Sequence, residues 1–360
     1  MTATVADLGV VEAASALARS DLSARELAEA CLARIRERDG THSHDGDPGS
    51  INAWVRVYEE DALAAADRAD ARRAAEGADA PALCGVPIGL KDLYAVAGRP
   101  LTASSRLLHE TPVEDCDVWA RLSAEGMVLL GHLHTHEFAI GGTTDQVGNP
   151  RSLDRTAGGS SGGSAAALAA GMVPAATGTD TAGSLRIPSA CSGTSTIKPT
   201  RGLISLRGIV PLAPSLDHAG PMARTLDDCG LLLAAMAGWD VAPEAVPLEG
   251  VRLALSPRIA LVDLEADVAE AFDGAVDSCR ALGATIVEPP APEAPLDVGE
   301  DFLGVLRSDL LPYHRRFDRG RALYRPSLRE WVDGAEELGF GAEEYAAAQE
   351  RRRATAAAWS

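Results

Sequence analysis

The sequence predicts an α/β protein, because segments with a helical period alternate along the chain with short apolar segments typical of buried strands. Residues 117–125 are predicted to form a helix, and residues 127–136 are predicted to form the strand that follows it. The same alternation recurs later, where a predicted helix at 264–282 separates predicted strands at 251–255 and 285–288.

The N-terminal region is predicted to be mostly helical. Residues 5–39 are expected to contain two helices, and Ser23 and Glu26 form a capping box at the start of the second one. Residues 42–50 form a polar loop. Residues 51–76 are predicted to be largely one further helix, whose many charged side chains indicate a solvent-exposed face.

The segments that follow are predicted to be more varied. Residues 143–156 are expected to form a polar loop that contains an Asn-Pro pair. Residues 203–212 are predicted to be a strand and a turn, and residues 225–238 a helix. The sequence PPAPEAP at 289–295 predicts a stiff connector, and the remaining residues are expected to be mainly helical and charged.

The charge balance of the chain limits its partners. The chain has 33 Lys and Arg against 52 Asp and Glu, and its net charge is −19 at pH 7. This argues against nucleic acid or an anionic membrane as the main partner, because both attract basic surfaces. We see no apolar run long enough to span a membrane and no secretory signal. We therefore predict a cytoplasmic protein, in which the six cysteines, which form no CxxC pairs, are expected to be reduced and buried.

The segment at 155–200 carries the strongest chemical signal of the chain. Two turns rich in glycine and serine, at 158–164 and 178–184, flank an alanine-rich stretch that predicts a short helix at 164–171. Glycines without a Cβ let backbone N–H groups approach a ligand closely. Serines placed where amides converge suit acyl chemistry, because a hydroxyl supplies the nucleophile and the amides supply an oxyanion hole.

The lysines of the chain are unusually few. Only Lys91 and Lys198 occur, and every other basic residue apart from histidine is arginine. Lys91 lies in the apolar run CGVPIGLKDLYAV, which is typical of a buried strand. Burial lowers the pKa of an amine, so Lys91 is predicted to act as a base, whereas Lys198 is predicted to be structural.

Four motifs together resemble the amidase signature family of serine hydrolases. They are GVPIGLKD, GGSSGGS, GTDTAGS followed by LRIPS, and GLISLRGIVPLAPSLDHAGPMART. The resemblance is dense over 22–238 and continues weakly to about residue 295. It implies a mixed central β-sheet sandwiched between helices in a single domain over 1–360. This domain has a helical region at 1–76, a catalytic core at 77–240 and a divergent part at 241–360.

The resemblance also implies a catalytic site. Position by position, the family's base matches Lys91, its bridging serine in a cis peptide matches Ser160, and its nucleophile matches Ser184. Its oxyanion hole is formed by backbone amides, which match Thr181, Ala182, Gly183 and Ser184. No cofactor and no metal are implied. Relatives usually continue beyond the equivalent of Ser360, so we expect a shortened C-terminal part and an exposed sheet edge that favours a homodimer.

Two other motifs offer different chemistry. His132, His134 and His136 alternate, which would place them on one face of a strand, and alternating histidines can bind the zinc of a metal-dependent hydrolase. The simpler interpretation is that these histidines make hydrogen bonds near the active centre. The sequence GGSSG at 158–162 also matches the nucleophile elbow of α/β-hydrolases, but the residues before it predict a loop instead of the required strand.

The sequence therefore predicts hydrolysis of a carboxylic amide through an acyl-enzyme on Ser184. Ser160 relays the proton, and Lys91 accepts it. The expected partner is a small-molecule amide, with neither nucleic acid nor membrane involved. Two alternatives remain beside the metal-dependent hydrolase. One is the amidase subunit of a tRNA-dependent amidotransferase, which needs a partner protein, and the other is an inactive, incomplete relative.

Overall fold

A computed structural model describes residues 5–240, 245–255, 263–288 and 299–358. The described residues within Met1–Ala242 and Leu306–Gly339 form one compact unit, and those within Pro243–Val305 and Phe340–Ser360 form a second. One domain over the whole chain therefore stays a prediction.

Strands and helices alternate along most of the chain. The strands are β1 (Trp54–Val57), β2 (Pro87–Lys91), β3 (Val128–Leu133), β4 (Gly148–Asn149), β5 (Ser152–Thr156), β6 (Ala175–Asp180), β7 (Ser195–Thr196), β8 (His218–Ala223), β9 (Arg252–Ala254) and β10 (Thr285–Val287). The helices are α1 (Val10–Ala18), α2 (Ala24–Arg38), α3 (Glu59–Glu76), α4 (Asp117–Ala124), α5 (Gly162–Ala169), α6 (Arg186–Ser192), α7 (Leu226–Ala237), α8 (Ala266–Ala281), α9 (Gly299–His314), α10 (Pro326–Glu337) and α11 (Ala342–Ala358). Short 3₁₀ turns occupy Val5–Asp7, Gly77–Asp79, Glu137–Ala139 and Arg315–Leu323.

A six-stranded mixed sheet forms the centre of the first unit, in the order β1-β3-β2-β6-β8-β7. Strand β2 is parallel to both of its neighbours, β3 and β6, and the outer pairs are antiparallel. Helices α3, α5 and α7 pack against β3, β6 and β8. The predicted mixed sheet between helices is therefore confirmed. Every residue of β2 and β6 is buried, so polar groups on these two strands lie inside the protein.

Local sequence explains several helix boundaries. Helix α2 begins at the predicted capping box, where the Glu26 amide donates to Ser23 Oγ (3.1 Å) and the Ser23 amide donates to Glu26 Oε2 (2.9 Å). Helix α7 begins after Thr225, whose Oγ1 accepts from the Asp228 amide, and ends at Gly238 in the left-handed conformation (φ +73°).

Some predicted elements differ from the observed ones. Residues 51–76 contain strand β1 before helix α3 begins, and the predicted loop at 143–156 contains the β4–β5 hairpin. Residues 203–212 form turns with a single bridging residue, Ile209, and no strand. The predicted connector at 289–295 lies outside the described residues. Short strands and hairpins are set by contacts with distant segments, which a local pattern does not record.

Strand β6 was not predicted, and its composition explains why. Its sequence AATGTD has no apolar run, because small side chains are needed where neighbouring elements approach closely. A Cβ on Gly178 would lie 2.6 Å from Leu185 Cδ2 and 2.7 Å from Met222 Sδ. The strand is therefore buried by close packing and not by large hydrophobic side chains.

The second unit contains the predicted strand–helix–strand segment. Strands β9 and β10 are parallel and pair from Arg252 with Thr285 to Ala254 with Val287. Helix α8 connects them and packs against β10. Within the described parts of the chain, no helix is long and apolar enough to cross a membrane.

Candidate active site

Lys91 is the last residue of β2, and its side chain is fully buried. The backbone amide of Lys91 donates to Thr177 Oγ1 at 3.1 Å. The ammonium nitrogen lies 2.8 Å from Ser160 Oγ, 2.9 Å from Ser161 Oγ and 2.7 Å from Thr179 Oγ1. Strand β2 therefore places the amine among three hydroxyl groups. No carboxylate is among these contacts.

Burial lowers the pKa of Lys91 to about 7, although the negative charges of Asp180 and Asp217 act in the opposite direction. A neutral amine has two N–H groups and one lone pair, so one of the three hydroxyls must donate to it. The Ser161 hydroxyl donates to the Thr179 carbonyl (3.3 Å) and therefore accepts from Lys91. Either the Ser160 or the Thr179 hydroxyl must therefore donate to the lone pair of the Lys91 amine.

Ser160 is held in a close loop before α5. The Gly159–Ser160 peptide bond is cis, as the family resemblance implies. The Ser160 carbonyl accepts hydrogen bonds from the His136 amide (2.9 Å) and from Thr144 Oγ1 (3.2 Å). Gly158 has a φ of +75°, and a Cβ there would lie 2.7 Å from Pro188 Cα, so this position requires glycine. These contacts fix the Ser160 hydroxyl next to Lys91.

Ser184 lies between the end of β6 and the start of α6, and it is buried. Its carbonyl accepts from the Ser161 amide at 3.3 Å, which ties the Ser184 turn to the Ser160 loop. Within residues 5–240 and the other described segments, no hydrogen bond links the Ser184 hydroxyl to Ser160 or Lys91. The structure thus brings Lys91 and Ser160 into direct contact and connects Ser184 through the backbone.

The turn around Ser184 is organised by Asp180. The Asp180 carboxylate accepts from the Gly183 amide (2.8 Å) and the Leu185 amide (3.2 Å). Arg186 donates to both of its oxygens, at 2.9 and 3.0 Å, so this charged pair holds the turn.

This arrangement corrects one predicted oxyanion donor. The Gly183 amide is bonded to Asp180 and is not free to bind an oxyanion here. The amides of Thr181, Ala182 and Ser184 remain as candidates. The Thr181 hydroxyl donates to Asp217 Oδ1 at 2.5 Å, which anchors the start of this turn. Asp217 in turn accepts from the Leu212 and Ala213 amides, and burial raises its pKa.

Lys91, Ser160, Ser161 and Thr179 form what we call the Lys91 cluster. Sequence reasoning missed two of its members and one neighbouring residue. Ser161 and Thr179 contact the amine directly, and Tyr94 donates its hydroxyl to the Gly178 carbonyl at 2.6 Å. The alternation of Thr177 and Thr179 in β6 is the signal that could have found Thr179, because alternate residues of a strand share a face. Tyr94 carried no comparable signal, since its partner is a backbone atom.

The three histidines do not form a metal site. Strand β3 ends at Leu133, so only His132 lies on it, and the predicted shared face does not exist. His132 contacts the Tyr58 hydroxyl and the Tyr94 carbonyl, and His134 contacts Ser104 Oγ. His136 Nε2 lies 3.3 Å from Ser327 Oγ. Across the residues that the structure describes, no group of three or more His, Cys, Asp or Glu side chains is arranged to hold a metal ion.

The nucleophile-elbow interpretation of GGSSG also lacks its structural context. A strand, β5, does precede this motif, although a loop was predicted there. However, β5 pairs only with the two-residue β4, and all of its residues are exposed. An elbow requires a strand of the central sheet, which β5 is not.

A small cavity of about 150 Å³ borders the Lys91 cluster. It shares Thr179 with the cluster, and its walls are mostly apolar, from Leu93, Ala139, Leu206 and residues 209–212. Its acid, Asp217, already accepts hydrogen bonds from Thr181 and from two backbone amides. The cavity therefore offers an apolar space with few free polar groups.

Comparisons with known proteins agree on the family. The family model described as Amidase matches residues 42–357. One subunit of glutamyl-tRNA(Gln) amidotransferase from Cupriavidus pinatubonensis is 40% identical over 92% of this chain and 71% of its own length. A crystal structure of an amidase superimposes with a TM-score of 0.85 at 29% identity, over 98% of this chain and 79% of that one. The peptide amidase of Stenotrophomonas maltophilia gives 0.73 at 29% identity, over 95% and 75%.

The comparisons overturn the predicted set of partners. A small-molecule amide was expected from the resemblance, the acidic composition argued against nucleic acid, and an exposed sheet edge favoured a second copy of the chain. This prediction is wrong, because the 40% identical relative belongs, by its name, to an enzyme that acts on glutamyl-tRNA(Gln). Net charge describes the whole surface of one chain and does not register what a partner protein binds.

The matched family model covers most of the chain, and the relative and the solved structures extend over more than nine-tenths of it. The order of β2, the cis-serine loop and the Ser184 turn is the order of the motifs that suggested the resemblance. The chain belongs to the amidase family and is an amidase signature hydrolase.

Proposed function

We propose that this chain hydrolyses a primary carboxamide through an acyl-enzyme on Ser184. The single observation that carries the proposal is the fully buried Lys91 amine, which is surrounded by hydroxyls and has a pKa lowered to about 7. A buried amine without a carboxylate partner is available as a base near neutral pH.

In the proposed reaction, Ser184 Oγ attacks the carbonyl carbon of the amide while its proton passes to Ser160. Ser160 passes its own proton to the lone pair of Lys91. The amides of Thr181, Ala182 and Ser184 are the proposed donors to the oxyanion. The C–N bond then breaks, and the amine leaves with the proton returned by Lys91 through Ser160. Water hydrolyses the resulting ester, which releases the acid and restores Ser184.

We propose glutamine as the amide donor and a tRNA-dependent amidotransferase as the setting. The similarity to a glutamyl-tRNA(Gln) amidotransferase component supports this choice. In this role the chain releases ammonia from glutamine, and a partner protein holds the tRNA. The acidic surface, with a net charge of −19, is consistent with that division of labour.

A second candidate, hydrolysis of small apolar amides, is favoured by the cavity beside Thr179. Its volume of about 150 Å³ and its apolar walls suit an aliphatic or aryl group better than the charged groups of glutamine. Ammonia release from glutamine and from benzamide, measured side by side, distinguishes the two candidates. Faster turnover of benzamide would favour the second.

The serine assignment is tested by mass spectrometry after incubation with a fluorophosphonate. We expect one adduct, mapped to Ser184 and absent from Ser184→Ala. An adduct on Ser160 in the wild-type chain would contradict the proposed nucleophile. The absence of any adduct on a folded chain would contradict the proposal of an active hydrolase and favour an inactive relative.

A further inference from the structure

A second cavity, away from the Lys91 cluster, has the size of a ligand site. Its volume is about 460 Å³, within the range of about 300–1,000 Å³ that is usual for small-molecule pockets. It lies along α3 and α4, and the apolar part of its lining, called the floor below, includes Ala65, Val96, Trp119 and Met127. These side chains are mostly buried and apolar, so the floor suits a planar apolar group.

Three guanidinium groups, from Arg68, Arg72 and Arg99, stand around this floor. Arg72 donates to Glu76 and to the Ala124 carbonyl, and Arg99 pairs with Asp61 at 2.6 Å. Within the described residues, no hydrogen bond or ion pair is present for the exposed Arg68.

Two carboxylates also line the cavity. Asp61 is engaged by Arg99, and Asp115 accepts from the Ala97 amide at 2.7 Å. Because Glu76 holds Arg72 at 3.0 Å and Asp61 holds Arg99 at 2.6 Å, the charges of these two arginines are neutralised by ion pairs. Among the described residues of the lining, Arg68 is the cation that offers a charge-assisted contact to an anion.

We propose that this cavity binds a small organic anion with a planar apolar body, such as an aryl carboxylate. The ring of the ligand lies on the floor beside Trp119, and its carboxylate pairs with Arg68. No role for this cavity follows from amide hydrolysis, so the proposal does not depend on that function.

A series of contacts through Tyr58, His132 and Tyr94 connects the cavity to the Lys91 cluster. Tyr58 lines the cavity, and its hydroxyl lies 2.7 Å from His132 Nδ1. His132 Nε2 lies 3.0 Å from the Tyr94 carbonyl, which can only accept, so Nε2 carries the proton and Nδ1 accepts from Tyr58. Tyr94 in turn donates to the carbonyl of Gly178, the residue before Thr179. Because Tyr58 also lines the cavity, a ligand bound there is expected to alter the surroundings of Lys91 through these contacts.

Binding is tested by isothermal titration calorimetry with benzoate and its neutral analogue benzyl alcohol. We expect benzoate to bind and benzyl alcohol to bind at least tenfold more weakly. Arg68→Gln should weaken benzoate binding about tenfold, because it removes a charge-assisted contact. Arg155→Gln is the matched control, since Arg155 is an exposed arginine outside this cavity, and it should bind benzoate as the wild type does.

Equal affinity for benzoate in the wild type and in Arg68→Gln would overturn the site, and so would equal binding of benzyl alcohol.

The connection between the cavity and the Lys91 cluster is tested by the rate at which a fluorophosphonate labels the chain, with and without saturating benzoate. We expect a change of at least twofold in the wild type and none in Tyr58→Phe, which should still bind benzoate. An unchanged wild-type rate would overturn the connection. Because calorimetry needs no turnover, failure of the amidase proposal would not affect the binding result.

Discussion

Two neighbouring strands each carry a buried titratable side chain, and the two side chains have different kinds of partner. Lys91 on β2 and His132 on β3 are both fully buried, and burial lowers the pKa of each. The Lys91 amine contacts three hydroxyls. The His132 ring contacts one hydroxyl, of Tyr58, and one backbone carbonyl, of Tyr94.

This difference indicates that burial alone does not make a base. A hydroxyl can donate or accept, so a proton can move between Lys91 and Ser160 without breaking the contact. A carbonyl can only accept, so the proton on His132 Nε2 is needed to keep that bond. Both groups are buried, but the hydroxyl partners leave Lys91 free to exchange a proton, whereas the carbonyl partner fixes His132 in one tautomer.

The largest effect is expected from Lys91→Arg. A guanidinium does not lose its proton, so the proposed base is removed, and activity should fall by about 10²–10⁴-fold. Amide hydrolysis and the rate of Ser184 labelling measure the loss. Lys198→Arg is the matched control, because Lys198 is the other lysine of the chain and, among the described residues, its amine donates only to the Pro199 carbonyl.

A buried arginine could also disturb folding, so Lys91→Met provides a second test. This variant fills similar space without charge and should be equally inactive while keeping the wild-type circular dichroism spectrum. Activity within threefold of the wild type in either folded variant would remove Lys91 from the mechanism.

The next effect is the pH dependence of the reaction. Because the neutral amine is the active form and burial lowers its pKa to about 7, kcat/KM should rise with pH and level off above about pH 7. Below pH 7 the neutral fraction falls about tenfold for each pH unit. A profile that stays flat between about pH 5 and 9, with the chemical step rate-limiting, would argue against a titrating lysine.

The sequence allowed part of this comparison to be predicted. The apolar run around Lys91 predicted a buried strand, and two motifs rich in glycine and serine placed Ser160 and Ser184. The histidines were predicted on one strand face, but β3 ends at Leu133, so His134 and His136 lie beyond the strand. Strand ends depend on pairing with other strands, which alternation of residue types does not reveal.

The partners of the titratable groups were harder to predict. Ser161 and Thr179 contact Lys91, yet Thr179 lies on β6, whose small residues gave no strand signal. The carbonyl partners of His132 and Tyr94 have no sequence signature, because every residue has a carbonyl group. The residue types thus predicted part of the chemistry of the site. Its hydrogen bonds could not be predicted without the three-dimensional structure.

Tyr94→Phe sharpens the comparison between Lys91 and His132, because Tyr94 contacts His132 directly and lies next to the Lys91 cluster through Gly178. Its carbonyl accepts from His132, and its hydroxyl donates to Gly178 beside Thr179. The variant loses only the hydroxyl and leaves a buried carbonyl unpaired, which costs about 1–3 kcal/mol in free energy of unfolding. We also expect kcat to fall up to about tenfold with little change in KM.

Tyr324→Phe is the matched control for this effect. Tyr324 is also buried, and its hydroxyl contacts His314 at 2.7 Å, outside the Lys91 cluster. It should show a similar loss of stability with unchanged kcat. If both variants lowered kcat equally, the effect of Tyr94 would be general loosening of the fold and not positioning of Thr179.

The smallest effect on activity is expected from His132→Gln. A glutamine amide can donate to the Tyr94 carbonyl and accept from Tyr58, so activity should stay within about threefold. The free energy of unfolding should fall by about 1–3 kcal/mol, since the new hydrogen bonds are less well placed. Urea unfolding and steady-state kinetics give the two values. A loss of activity above a hundredfold with an intact fold would mean that His132 exchanges protons as Lys91 does, and the kind of partner would then no longer explain which buried group is the base.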